Sequence, residues 1–166
     1  MHTKTLALCA VVLAAGPPLA SAQSVTDPTA FVALAASSNM FEIESSELAL
    51  DTSTNEDVKA FARHMVDDHT AAGEKMKAAA ETDGILPPAT MTDKEQAALE
   101  PLQAADGGAF DKAYLAAQVS AHDEAVALFR SFSENGQDSA VKRFAAETLP
   151  TLEEHQGAVH ALAEQD

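Results

Sequence analysis

Apolar residues recur at spacings of three and four along most of this chain, with no alternating β-branched runs. At about 100° per residue that pattern predicts amphipathic helices and no sheet. The first helix is expected from about Pro28 to Asp51, opened by Asp27 as a cap with proline in the first turn. A short turn follows at Thr52-Ser53-Thr54, with Thr54 and Asp57 spaced as a capping pair. The second helix then runs from about Asn55 to Thr82 and ends at Asp83-Gly84. A third is predicted from about Ala109 to Ser133, breaking at Asn135-Gly136, and a fourth from about Asp138 to Ala163. Pro150 lies inside the fourth helix, removes a backbone bond to the carbonyl of Ala146 and predicts a bend.

Between the second and third helices lies a connection from 84 to 109, carrying one short helix from about Thr92 to Leu102. Antiparallel neighbours need only about 2 to 8 linking residues. The excess length predicts that the second and third helices run parallel, with the link returning along the molecule. The expectation is therefore an all-α, ferritin-like four-helix bundle with a long connection between helices 2 and 3.

The start of the chain departs from this pattern. Met1-His2-Thr3-Lys4 precedes an apolar stretch from Thr5 to Ala15, then Gly16-Pro17-Pro18 and Ala20-Ser21-Ala22. A basic start, an apolar core below the roughly 20 residues that span a bilayer and a small-x-small end predict a signal peptide over 1–22, cut after Ala22. Residues 23–166 then form a single domain, periplasmic or secreted, with no transmembrane segment after cleavage. Cys9, the one cysteine, lies in the leader. The mature chain thus has no disulfide, cysteine-zinc site, iron–sulfur cluster or cysteine nucleophile.

Facing picks out the chemistry. The stripe of the first helix comprises Phe31, Leu34, Ala35, Ser38, Phe41, Glu42, Ser45, Leu48 and Ala49, and that of the second Val58, Phe61, Ala62, Met65, His69, Ala72 and Met76. His122 is central on the third, with Asp111, Tyr114 and Gln118 on its side, and His155 is central on the fourth, near Thr151. His64 and His160 lie off the inward stripe, and the pair Asp67-Asp68 points largely sideways and reads as solvated face. Counting 1.5 Å per residue from the turns brings Glu42, His69, His122 and His155 into one mid-bundle band. Burying such groups without a partner is costly. Three imidazoles and a carboxylate from four helices suit one transition-metal ion: zinc, iron, copper or manganese. Asp111, Tyr114, Gln118 and Thr151 are the candidates for orienting the rings. The competing reading is a buried Glu/His hydrogen-bond network without metal, in a structural or interaction bundle of the cell envelope. Met65 and Met76 sit on the apolar stripe, where packing is their default role.

Composition narrows the partners. The formal charge is −16, one unit more negative once a leader carrying Lys4 is removed. Such a surface repels nucleic acid and anionic lipid, attracts cations and, in the metal-free reading, fits a basic protein partner. No Gly-x-Ser-x-Gly elbow, Gly-rich phosphate loop or His-Glu-x-x-His helix is present.

The stretches Met40-Phe41-Glu42-Ile43-Glu44, Val58-Lys59-Ala60-Phe61-Ala62, Met65-Val66-Asp67-Asp68-His69-Thr70, Phe110-Asp111-Lys112-Ala113-Tyr114, His122 and Thr148-Leu149-Pro150-Thr151-Leu152-Glu153-Glu154-His155 carry a resemblance. From about Ala30 to Leu162 the chain resembles the bacterial domain-of-unknown-function 4142 family (DUF4142). That resemblance implies a ferritin-like bundle and export, and its pattern positions coincide with Glu42, His69, His122 and His155. Di-iron ferritins use Glu-x-x-His pairs. Here Val66, Val119 and Leu152 stand three residues before the histidines, so ferroxidase chemistry is not implied.

Overall fold

A computed structural model describes residues 25–165 of the chain. The expected signal peptide, with its expected cleavage point after Ala22, and Cys9 lie outside the described residues. Among those residues are five helices and no strand: α1 (Pro28–Thr52), α2 (Glu56–Thr82), α3 (Asp93–Ala104), α4 (Gly107–Asn135) and α5 (Ala140–Ala163). None is long and apolar enough to cross a membrane.

The ends form where side chains or backbone satisfy orphan amide and carbonyl groups. Asp27 Oδ2 accepts from the Ala30 amide at 2.9 Å, and Pro28 occupies the first turn, as the sequence predicts. The cap of α2 is a correction: Asn55, not Thr54, holds it, accepting from the amides of Asp57 and Val58. An amide oxygen one residue later in the chain serves two donors at once. Beyond α2, Gly84 takes φ +72° and the Ile85 amide reaches back to the Ala80 carbonyl at 2.8 Å, a left-handed exit that favours glycine. At Gly136 close approach is the constraint, because a Cβ there would lie 2.6 Å from the Phe132 carbonyl and 2.7 Å from its ring.

Long-range contacts settle the directions. Phe31, early in α1, stacks on Phe132, late in α4, at 4.1 Å, while Ser46 late in α1 meets Tyr114 early in α4 at 2.9 Å. Hence α1 and α4 are antiparallel. Asp83, just past α2, accepts from the amides of Ala140 and Val141 at the start of α5. One carboxylate thus caps the neighbouring helix and pins the two helix pairs together at that end. It also makes α2 and α5 antiparallel, so that α2 and α4 run in the same direction, as the length of their connection predicts. The link must then travel back along the molecule, and α3 within it packs on α1 and α4.

Two apolar clusters follow from this arrangement. One holds Phe31, Met76, Phe129, Phe132, Phe144 and Leu152, and the other Phe41, Phe61, Met65, Leu102, Phe110, Tyr114 and Val159. Along α2, α4 and α5 a histidine falls where one cluster gives way to the other: His69 between Met65 and Met76, His122 between Leu115 and Ala125, His155 between Leu152 and Val159. Pro150 sits inside α5, which continues through it. Leu34, expected in the core, is 44% exposed, because α3 covers the α1/α4 groove only in part.

Candidate metal centre

Each histidine is the inward residue of an amphipathic helix, so the helices deliver one ring apiece to the axis. His122 is fully buried, His69 is 6% exposed and His155 9%. Their ring centroids form a nearly equilateral triangle, with sides of 5.8 Å (His69–His122), 5.6 Å (His69–His155) and 5.7 Å (His122–His155). One nitrogen from each ring lies within 4.8 Å of those of the other two. Metal–nitrogen bonds of about 2.0–2.1 Å at tetrahedral to trigonal angles would hold such centroids roughly 5.2–5.5 Å apart. The rings are thus near ligand spacing by their centroids, and turning them would bring the nitrogens, now within 4.8 Å of one another, to the roughly 3.3–3.6 Å that one shared ion requires.

Hydrogen bonds assign a role to each nitrogen. His122 Nδ1–H donates to the Gln118 carbonyl one turn earlier at 3.0 Å, His69 Nδ1–H to Asn39 Oδ1 at 3.1 Å and His155 Nε2–H to Asp68 Oδ2 at 2.9 Å. The other nitrogens, His122 Nε2, His69 Nε2 and His155 Nδ1, are buried without a partner. A ring anchored through one nitrogen and bare at the other is what a metal ligand requires, since the anchor selects the tautomer and aims the lone pair. Three bare lone pairs beside one another, with no donor among them, would otherwise be an unrelieved cost.

Two of the rings are also held neutral. Burial, reinforced by the two neighbouring imidazoles, lowers His69 from 6.5 to about 3. Burial likewise lowers His122 to about 4, against the pull of its bond to the Gln118 carbonyl. Ligation needs the unprotonated imidazole, and both are held in that form at neutral pH.

Glu42 is buried at 1% exposure, but its carboxyl lies behind His122, with Oε1 3.6 Å from Nδ1, and it is not one of the clustered donors. Burial raises it from 4.5 to about 8, with the nearby Gln118 side chain pulling the other way. Glu42 and His122 thus meet as two neutral groups at pH 7. From Glu42 a polar seam continues between α1 and α4. The Gln118 amide donates to Ser45 Oγ at 3.0 Å, Ser46 pairs with Tyr114, and Asp111 is buried farther along.

Several expected ring-orienting residues are replaced. Gln118 acts through its backbone carbonyl, and Tyr114 bonds to Ser46. Thr151 lines a small cavity of about 30 Å³ beside His69 and His155, together with Asn39, Asp68 and Thr148. Asp68, expected to point sideways as part of a solvated face, bridges solvent and site, half-exposed yet bonded to His155. It lies on the flank of α2 that faces α5, a contact that facing on a single helix does not reveal. Asn39 is the other missed residue. Its position one turn before Glu42 was the available signal.

Comparisons with known proteins agree with this picture at the level of fold. CopM in its Cu(II)-bound form matches with a TM-score of 0.69 at 16% identity, over 84% of this chain and 97% of that one. The Ag-bound form of CopM gives 0.69 and 16% over 84% and 96%. A DUF305 protein of Streptomyces coelicolor, believed to be secreted, gives 0.69 and 17% over 83% and 91%. No curated protein matches the chain in sequence. The sequence profile of the domain of unknown function DUF4142 matches residues 14–162, which covers the helices α1 to α4 and nearly all of α5, and the chain belongs to that family.

Proposed function

We propose that this protein is an exported, ferritin-like bundle that holds one transition-metal ion on His69, His122 and His155 and serves metal handling or stress protection in the cell envelope. The observation that carries the reading is the set of three buried, unpartnered imidazole nitrogens, each on a ring anchored through its other nitrogen. Copper comes first among the candidate ions. Its divalent form binds nitrogen donors most tightly in the first-row series, and two of the structures similar to this chain hold Cu(II) or Ag. Zinc, which also accepts three imidazoles and an open position, is second.

In this reading the chain's own residues divide the work. The three rings supply the donor nitrogens. Asp68 raises the donor strength of His155 and Asn39 fixes His69. Phe61, whose ring centroid lies 6.3 Å from that of His122, helps keep water from that side. Glu42 stands behind His122 and, by turning its side chain and giving up its proton, would serve as the fourth ligand. The small cavity beside His69 and His155 leaves one side open. A bound copper ion would supply Lewis-acid or one-electron chemistry there.

The seam of Glu42, Gln118, Ser45, Ser46 and Tyr114 favours a second reading, a metal-free bundle in which buried polar pairs fix helix register. Melting with and without a chelator separates the two. Metal binding predicts a chelator-dependent fall in Tm that copper or zinc reverses, whereas the polar-register reading predicts superimposable curves.

A further inference from the structure

Away from the histidines, α3 bridges α1 and α4 over a cavity of about 440 Å³. That is within the range of small-molecule sites, about 300–1,000 Å³. Its floor is Ala113, Ala117 and Ala121, one turn apart on α4 and too short to reach α3, and its walls include Phe41, Leu102 and the half-exposed Leu34. Larger side chains at the alanines would close the space.

The rim is charged in one particular way. Glu95 is held by hydrogen bonds from Ser37 Oγ, at 2.9 Å, and from Thr92 Oγ1. Its side chain is only 16% exposed, and the cation beside it is Lys94, 3.8 Å away. Lys94 reaches from α3 across the mouth to Glu124 on α4. A primary ammonium on an apolar stem thus already lies between two carboxylates at the edge of an apolar hollow. An anionic head group there would meet both carboxylates and the −16 field of the whole chain.

We infer that this cavity is a second ligand site, which takes a small amphiphile with an apolar body in the hollow and a cationic end between Glu95 and Glu124, displacing the Lys94 ammonium. None of the three histidines lines it, although Ser38 and Ala125 border both this cavity and the small one beside His69 and His155.

Calorimetric titration of the signal-cleaved protein with decyltrimethylammonium, below its micellar concentration, tests this against decyl sulfate, which has the same chain and the opposite charge. The cationic probe is expected to bind once and saturably, and the sulfate much more weakly. Glu124→Gln should lower affinity about threefold to fivefold, and Lys94→Ala should raise it by a similar factor, the range of exposed ion pairs. Ala117→Leu should abolish binding and leave metal content unchanged. Glu124 is exposed, so its variant tests the site even if Ala117→Leu fails to fold. Absence of a saturable site, equal affinity for the sulfate, or an unchanged affinity in Glu124→Gln would each overturn the inference.

Discussion

The two apolar clusters on either side of the histidine layer are built on different terms. In the one at the α1 N-terminal end, Phe31 stacks on Phe132 at 4.1 Å and meets Phe129 edge-on at 4.9 Å, and Phe129 meets Phe144 at 5.9 Å. Apart from Ser37, which bonds to Glu95 and the Thr92 amide, the side chains buried at this end are apolar. The other end interleaves Phe41, Phe61 and Phe110 with buried Ser45, Ser46, Asp111, Tyr114 and Gln118. The first end contributes stability through area removed from water and dense aromatic contact. The second gives up some of that gain for polar pairs that work in one register only. The histidines stand at the boundary, each anchored through one ring nitrogen to Asn39, the Gln118 carbonyl or Asp68.

That contrast can be broken most severely by truncating a ring at the apolar end. Phe132→Ala should cost about 3–5 kcal/mol of stability by denaturant unfolding while leaving metal stoichiometry intact in the folded fraction. His122→Leu should do the reverse. It removes a bare buried nitrogen and replaces it with apolar volume, so the metal-free protein should unfold at the same or higher denaturant concentration, and metal binding should be lost. If His122→Leu instead destabilises the apo form as much as Phe132→Ala does, the layer is structural.

A smaller effect is expected at the solvent edge. Asp68→Asn keeps the size of the side chain but weakens the acceptor for His155 Nε2–H, and metal affinity by competition titration should fall about 10–100-fold. Apo stability should barely move, because Asp68 is half exposed.

A separate effect is a slope against pH in the metal-free protein. His69 and His122 have folded pKa values lowered from 6.5 to about 3 and about 4. Below pH 6.5 the unfolded chain therefore binds more protons, and stability is lost as pH falls toward those values. Glu42 works in the opposite sense, since its pKa is raised from 4.5 to about 8 and stability is lost as pH rises from 4.5 through 8. Glu42→Gln should flatten the alkaline decline and leave the acid decline in place, as read by Tm across pH 4 to 9. An unchanged alkaline limb in that variant would mean that Glu42 is not buried as a neutral acid.

The helices were legible because a period near 3.6 is written into where the apolar residues fall. The inward histidines stood out because each interrupts that stripe with a group that is costly to bury. Direction was legible too, since a link as long as 84 to 109 is wasted between adjacent antiparallel helices. What escaped depended on neighbours. Asp68 sits at the edge of its own helix, and only the packing of α5 against α2 makes it a partner of His155. Leu34 belongs to the stripe of α1, yet the partial cover of α3 leaves it half in solvent. Glu42 was rightly read as inward, while its place behind His122, on the anchored nitrogen, depends on the lateral offset of α1 from α4.

The most direct test is elemental analysis of signal-cleaved, untagged protein purified without chelator, beside a His69→Ala/His122→Ala double variant. Near-stoichiometric copper or zinc in the parent and none in the variant is the result expected of a three-histidine centre. No metal in either protein, even after incubation with copper and zinc, would contradict that centre and leave a bundle whose buried histidines serve register alone.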